Sequence, residues 1–178
     1  MRSPLPITIL STELRLTDVR TRLPFRFGGA ILSSAPLATL RVLIKTEDGD
    51  NAEVFSSDLL VPKWFEKDPS KSARDDIISL LASIERATAA WTRATATPTS
   101  VFTAWKSTYE ECLGSFDPTD ASALVRGFGV GLLERALMDA TCRAADTSFH
   151  SALRSKLFGF APGEVHADLA SWDIAASL

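Results

Sequence analysis

The spacing of apolar residues along the chain changes once, near residue 58, from a period of two to a helical period. Before that point the clearest alternation of apolar and polar side chains covers residues 38–45, which predicts a β-strand with one buried face. Weaker patterns over residues 7–16 and 52–56 predict a strand before and after it. An Asp-Gly pair at residues 48–49 suits the turn of a hairpin. The first third of the chain therefore predicts a three-stranded antiparallel meander.

The segment between the first two predicted strands, residues 20–34, contains signals that oppose a continuous strand. Pro24 has no N–H group to offer a neighbouring strand, and Gly28 and Gly29 permit a sharp reversal. We predict a long, partly extended loop here. The preceding strand also changes the phase of its alternation, which predicts a bulge near residues 11–13.

After a connecting loop over residues 58–70, the apolar residues follow the period of a helix. Such patterns run, in order, over residues 72–94, 101–113, 124–145 and 148–157. The third is apolar on most sides, so we predict that it is the central helix of a bundle, opened by residues 117–120. Asp68 is predicted at the start of the first helix and Pro98 in the first turn of the second. The tail from residue 164 starts like a strand, and the whole order predicts an α+β fold.

The predicted central helix carries three glycines at alternate positions, Gly127, Gly129 and Gly131. A dinucleotide-binding loop has a different glycine spacing, follows a strand and opens a helix, whereas these glycines lie inside a helical pattern. We predict instead that they let a neighbouring helix approach closely.

Three charged residues follow the glycines, Glu134, Arg135 and Asp139. We interpret them as residues of the helix surface. Arg135 and Asp139 lie four positions apart, which predicts an ion pair between them.

Composition and charge narrow the function without identifying it. The chain has 178 residues, 46% of them hydrophobic and 23% charged, which suits one folded domain. The net charge of −3 and the lack of a basic cluster argue against a nucleic-acid partner. No apolar stretch approaches the roughly 18–20 residues of a membrane span, and the N-terminus lacks the pattern of a secretory signal. Cys112 and Cys142 lack metal-ligand spacing and indicate a reducing compartment, so we expect a soluble cytoplasmic protein.

Three runs, in this order, resemble the N-terminal capping domain of the enolase superfamily, in the branch of mandelate racemase and the muconate-lactonizing enzymes. They are TRLPFRFGGAIL at residues 21–32, ATLRVLIKTEDGD at residues 38–50 and LLERALMDATCRAA at residues 132–145. The first resembles the loop after the family's first strand, the second a strand and hairpin, and the third the helix that ends the bundle. The resemblance implies an enolase N-terminal-domain-like fold for residues 1–164. Residues 165–178 would then be the start of a missing barrel or a C-terminal tail.

The chain also departs from the family pattern. The glycine-rich turn after the third strand is missing, since the run here is NAEVFSSDLL. The family's acidic Mg²⁺ ligands and its Lys or His bases lie on a barrel that needs about 250 residues. Only nine residues follow Leu169. We therefore assign no catalytic residue, no metal ligand and no cofactor to this chain, with Mg²⁺ expected only in the full-length family, and whether the chain is an enzyme stays open here.

What the resemblance carries over is the capping role, in which two loops close over the mouth of the barrel and contact the substrate. Their counterparts here are residues 20–31 and 57–64. The candidate residues of these loops are Arg22, Phe25, Arg26, Phe27, Lys63 and Trp64. Aromatic side chains exclude water from a substrate, and a cation attracts its carboxylate. The alternative is structural: Phe25 and Phe27 belong to the core with the arginines solvated, and VPKWF at residues 61–65 is a plug between sheet and bundle, which we favour for the second loop.

Two functions follow as hypotheses. The preferred one is a substrate-capping domain without its catalytic barrel, inactive alone, from a family that abstracts a proton next to a carboxylate with the help of Mg²⁺. The alternative is a free-standing interaction or small-ligand-binding module that kept the cap fold and binds a carboxylate. Because the surfaces that pack on a barrel would be exposed, we expect a homo-oligomer or a separately encoded barrel as partner. We expect no nucleic-acid and no membrane partner.

Overall fold

In the computed structural model, which describes residues 3–114 and 122–177, a three-stranded sheet packs against a layer of helices. The strands are β1 (Ile7–Phe27), β2 (Ala30–Thr46) and β3 (Asn51–Leu59), antiparallel in the order β1-β2-β3. The helices are α1 (Ala73–Ala94), α2 (Val101–Leu113), α3 (Ala123–Ala144), α4 (Phe149–Arg154) and α5 (Ile174–Ser177), with 3₁₀ turns at Pro162–Glu164 and Ala167–Leu169. The predicted α+β order, a meander followed by helices, is confirmed.

The middle strand β2 shows why the sheet has one apolar face. Leu40, Val42 and Ile44 alternate with the more exposed Arg41, Leu43 and Lys45, are at most 1% exposed and belong to the core formed with the helices. On the other face of the sheet, Arg41 forms ion pairs with Glu13 of β1 and with Glu53 of β3. The alternation in the sequence therefore places the helices on one side of the sheet and charged groups on the other.

The prediction of a loop over residues 20–34 is wrong, because these residues form the outer part of a long β1-β2 hairpin. Phe27 pairs with Ala30 across a turn in which Gly28 has a φ of +51°. Pro24 lies within a register shift of the ladder, where its missing N–H removes no hydrogen bond between paired residues. Proline is compatible with this edge strand for that reason.

Two predicted boundaries shift by a few residues. The bulge expected near residues 11–13 lies slightly earlier, at a register shift between Ile9 and Ser11. Pro98 precedes α2 instead of lying in its first turn, and the N-cap of α2 is Ser100.

The first helix starts after Ser72, not at Asp68. The Ser72 hydroxyl accepts the N–H of Asp75 at 3.2 Å, and the Asp75 carboxylate accepts the N–H of Ser72 at 2.9 Å. This reciprocal capping box satisfies two N–H groups at the start of α1. The hydrogen bonds from Ser72, first from its hydroxyl and then from its N–H, lower the pKa of Asp75 below its ordinary value.

The predicted central helix is confirmed as α3, which contacts α1, α2, β2 and β3. Leu132, Leu133 and Leu137 are completely buried, as expected for a helix that is apolar on most sides. The start predicted at residues 117–120 lies outside the described residues, and the side chain of Ser122 caps α3.

The α1 and α3 backbones approach closely at Gly129. The Gly129 N–H donates to Ser83 Oγ at 3.0 Å, and this hydroxyl donates to the Arg126 carbonyl at 2.9 Å. A methyl group on Gly129 would overlap the backbone of Ser83, whereas one on Gly131 would meet no atom within 4 Å. The predicted close approach of a second helix is thus confirmed at Gly129, while Gly127 and Gly131 leave ordinary room.

The predicted ion pair between Arg135 and Asp139 is wrong. Arg135 Nη2 instead donates to Asp58 Oδ2 at 2.9 Å, and Asp139 accepts a hydrogen bond from Arg143 Nε at 2.8 Å. Asp58 lies in β3, so Arg135 pairs with a carboxylate that the tertiary fold brings close, instead of with Asp139 on its own helix.

The tail does not start as a strand, contrary to the prediction. After two 3₁₀ turns it ends in α5, whose Ile174 is 8% exposed and packs near α4. Among the helices that the structure describes, none is both long and apolar enough to cross a membrane.

Candidate functional site

The tip of the β1-β2 hairpin lies against the loop that follows β3. The rings of Phe27 and Trp64 meet edge to face, with centroids 4.9 Å apart, and the ring of Phe25 lies 5.9 Å from that of Phe27. Phe25 and Trp64 are each about half exposed, at 52% and 49%. The structure therefore brings together aromatic residues from the two segments that the sequence assigned to capping.

An open cavity of about 670 Å³ lies between these segments, and we call it the two-loop cleft. Its lining residues are Phe27, Gly28, Gly29, Ala30, Lys63, Trp64, Lys67 and Pro69. The tight turn at Gly28 and Gly29 places no side chain in the cleft, so the aromatic rings and the lysines determine its chemistry.

Lys63 fastens the second loop to α1. Its N–H donates to Asp76 Oδ2 at 3.0 Å, and its ammonium lies 3.2 Å from the same carboxylate oxygen. The ammonium also donates to the carbonyl oxygens of Asp68 and Lys71, at 2.9 and 2.6 Å. Asp76 is only 3% exposed, so the ammonium neutralises a buried carboxylate. Lys63 thus lines the cleft, but its ammonium is already bound to Asp76 and to two backbone carbonyl oxygens.

The second loop divides its aromatic residues between the cleft and the core. Trp64 faces the hairpin tip, whereas the ring of Phe65 packs edge to face on Phe128 of α3, with centroids 5.1 Å apart. The interpretation that we favoured for residues 61–65, a plug between sheet and bundle, therefore fits Phe65. The other interpretation, a ligand-facing loop, fits the position of Trp64.

The two candidate arginines do not line the cleft. Arg26 pairs with Ile31 and alternates with Phe25 and Phe27, so it lies on the opposite face of the hairpin. Arg22 is exposed and lies in the irregular stretch of β1. Neither arginine belongs to the wall that Phe27 and Trp64 share.

Lys67 is the cation that the sequence analysis missed. It is exposed and lines the cleft beside Trp64. The neighbouring Glu66 would have a raised pKa from burial, but hydrogen bonds from the Asp68 N–H, the Lys71 ammonium and the Lys67 N–H outweigh burial and lower the pKa. Glu66 therefore stays ionised and pairs with Lys71 at 3.3 Å. No signal in the sequence separated Lys67 from the other charges of this loop.

Metal-ligating side chains are not clustered in the parts of the chain that the structure describes. Within residues 3–114 and 122–177, no group of three or more His, Cys, Asp or Glu side chains could hold a metal ion. Cys112 and Cys142 are free and buried, and burial raises the pKa of both thiols.

No protein-family model matches the sequence, and no curated protein matches it. Among solved structures, the chain is similar to an enolase from Bradyrhizobium complexed with magnesium and mandelic acid, with 18% sequence identity and a TM-score of 0.52. That match covers 83% of this chain and 35% of the enolase. An enolase from alpha proteobacterium bal199 with bound magnesium also matches, with 16% identity and a TM-score of 0.47, over 91% of this chain and 41% of that one.

The similarity to the Bradyrhizobium enolase concerns the fold, since the sequence identity is low. The chain spans about a third of that enolase's length. The chain therefore has an α+β, enolase N-terminal-domain-like fold, as the resemblance of its sequence motifs implied.

Proposed function

We propose that this domain covers the substrate of a protein similar to mandelate racemase and the muconate-lactonizing enzymes. The observation that carries the proposal is the contact between Phe27 and Trp64, which joins the two segments assigned to capping and forms one wall of the two-loop cleft. In the full-length family, Mg²⁺ and barrel residues support the removal of a proton next to a carboxylate. On this proposal the domain alone has no racemase, dehydratase or cycloisomerase activity.

The chemistry that this chain would contribute is exclusion of water and attraction of an anion. Phe27 and Trp64 offer apolar surface that would displace water from a substrate below them. An electrostatic attraction between the Lys67 ammonium and a substrate carboxylate becomes stronger when water is removed from around the pair. The bonds of Lys63 to α1 hold the base of the second loop in place while Trp64 stays about half exposed.

Binding of a carboxylate by the chain alone separates the preferred function from the alternative. Mandelate is a suitable ligand for the test, because the similar Bradyrhizobium enolase was crystallised with mandelic acid. A cap supplies only part of a binding site, so we expect a Kd weaker than about 1 mM, which corresponds to about −4 kcal/mol. NMR titration of the labelled chain measures this.

The alternative, a free-standing small-ligand-binding module, predicts a different titration. It requires sub-millimolar binding that is lost in Arg22→Ala or Arg26→Ala. Such a result would contradict the capping proposal. Lys67→Ala is the informative third variant, because Lys67 lines the two-loop cleft and the two arginines do not.

We also propose that the hairpin packs against a partner, either a barrel domain or a second copy of this chain. Leu16, Leu23, Phe25 and Ile31 of the hairpin are each 50% or more exposed, so the hairpin offers apolar side chains that a partner would cover. Without a barrel the chain should self-associate. Static light scattering that reports a monomer over a wide concentration range would argue against this proposal.

A further inference from the structure

A second, smaller cavity of about 260 Å³ lies among α2, α3, α4 and α5, away from the residues that line the two-loop cleft. Its walls are almost entirely apolar and include five aromatic rings. These are Phe102, Trp105, Phe149, Phe158 and Phe160. Four of the helices and the segment after α4 contribute to it, so the cavity is a product of the tertiary fold.

The aromatic rings pack on one another around a half-open cavity. Phe102 stacks on Trp105 with centroids 5.8 Å apart and meets Phe160 edge to face at 5.4 Å. Phe149 and Phe158 lie 5.7 Å apart on the α4 side. Ring faces carry partial negative charge, so a cation placed among them is attracted.

Glu134 of α3 is the one charged residue among those that line this cavity. Burial among the apolar side chains raises the pKa of its carboxyl above the ordinary value. In the described parts of the chain no side chain pairs with this carboxyl: the adjacent Arg135 binds Asp58 at 2.9 Å, and Lys106 of α2 binds Glu164 at 3.1 Å. A partly buried carboxylate without a partner is costly, and a cation in the cavity would remove that cost.

We propose that this cavity binds a small organic ammonium ion, with the ammonium on the Glu134 carboxylate and the apolar body between the aromatic rings. The two features that the proposal joins are the apolar walls and their single carboxylate, which match the two halves of such a ligand. The volume lies just below the range of about 300–1,000 Å³ for drug-sized ligands, so the body is no larger than one aromatic ring with a short alkyl chain. The site is independent of the capping proposal, because it shares no residue with the two-loop cleft.

Isothermal titration calorimetry of the whole chain with phenethylammonium and with phenethyl alcohol tests this. The two ligands share the ring and the alkyl chain and differ in the charge. We expect phenethylammonium to bind at least tenfold more tightly than the alcohol. Glu134→Gln should remove this preference, by weakening phenethylammonium at least tenfold while leaving the alcohol within about twofold. Glu85→Gln, an exposed position of α1 with the same change in charge, should leave both affinities unchanged.

Three results would overturn the proposal. They are equal affinities for the two ligands, no binding of phenethylammonium, and binding of phenethylammonium that Glu134→Gln does not weaken. Because Glu134→Gln replaces a partly buried acid by a neutral group of the same shape, the variant should fold, and circular dichroism of the free protein checks this.

Discussion

Replacing Gly129 by alanine should destabilise the domain, because the backbone of α1 occupies the space that a methyl group needs. A Cβ at this position would overlap the Ser83 carbonyl oxygen and lie 2.6 Å from the Ser83 carbonyl carbon and 2.7 Å from the Ile84 Cα. These are backbone atoms of a packed helix, so no flexible side chain can move aside. The two helices would have to separate at their closest point.

The size of the effect follows from three contributions. Overpacking costs about 1–3 kcal/mol, and backbone contacts place Gly129→Ala at the upper end. Moving α1 also weakens the hydrogen bonds of Ser83 with the Gly129 N–H and the Arg126 carbonyl, each contributing about 1 kcal/mol. The better helix propensity of alanine offsets about 1 kcal/mol of this loss. We therefore expect a net loss of about 3 kcal/mol, which lowers the Tm by about 6–12 °C.

Gly131→Ala is the matched control, because it makes the same change two positions along the same helix. A methyl group there meets no atom within 4 Å, so the propensity gain should appear alone and stabilise the domain by about 0.5–1 kcal/mol. Urea denaturation followed by circular dichroism measures both variants. If the two variants differ by less than about 1 kcal/mol, the close crossing of α1 and α3 at Gly129 is refuted.

Three further predictions concern the loop after β3, the cap of α1 and the partly buried acid Glu134. Asp76→Ala should lower the free energy of unfolding by about 3 kcal/mol in urea denaturation, because it leaves the Lys63 ammonium without its buried counter-ion. Ser72→Ala should lower the free energy of unfolding by about 1 kcal/mol in the same assay, because it removes the side-chain half of the capping box that Ser72 forms with Asp75. A loss below the error of the assay would contradict the capping box. Burial raises the pKa of Glu134 above its ordinary 4.5, so the folded chain keeps a proton that the unfolded chain has released, and this group's contribution to stability falls as the pH rises. Glu134→Gln should therefore raise the Tm at about pH 7, and thermal melts below about pH 4 should show no such gain.

The parts of the fold that the sequence predicted correctly depend on local periods. The alternation around Leu40 and Val42 identifies β2, and the apolar residues around Leu133 identify α3, because each pattern reports which face of an element is buried. The outer hairpin was missed because Pro24 opposes a strand locally, while the pairing that tolerates it is formed with distant residues of β2.

The sequence predicted only part of the candidate site, again because local patterns do not report contacts between distant segments. Phe27 and Trp64 were identified as residues of the two segments to which the family resemblance assigned the capping role, and the fold brings them into contact. Arg26 was included because residues 20–34 were interpreted as a loop, in which side chains have no fixed alternation. As a strand, the same residues place Arg26 on the face opposite Phe27. The position of Lys67 depends on the path of the loop after β3, which no periodic pattern determines.

Glu134 shows a different limit of the sequence. In the sequence, Glu134 precedes Arg135 and lies four positions before Met138. This pattern is typical of an ordinary surface position of a helix. Its burial depends on apolar side chains of α2, α4 and α5 and of the segment after α4, which line the same cavity. Whether a charged position of a helix is solvated is decided by its tertiary neighbours, so the cavity became visible only in the structure.

The central claim is that this domain covers a substrate held by a β/α barrel, and the DNA sequence around the 178 codons tests it most directly. The account predicts a reading frame, continuous with this one or in a neighbouring gene, that encodes alternating strands and helices over about 250 residues, with acidic residues at the ends of successive strands. A locus that encodes no such barrel would contradict the capping function and leave the small-ligand-binding module as the alternative.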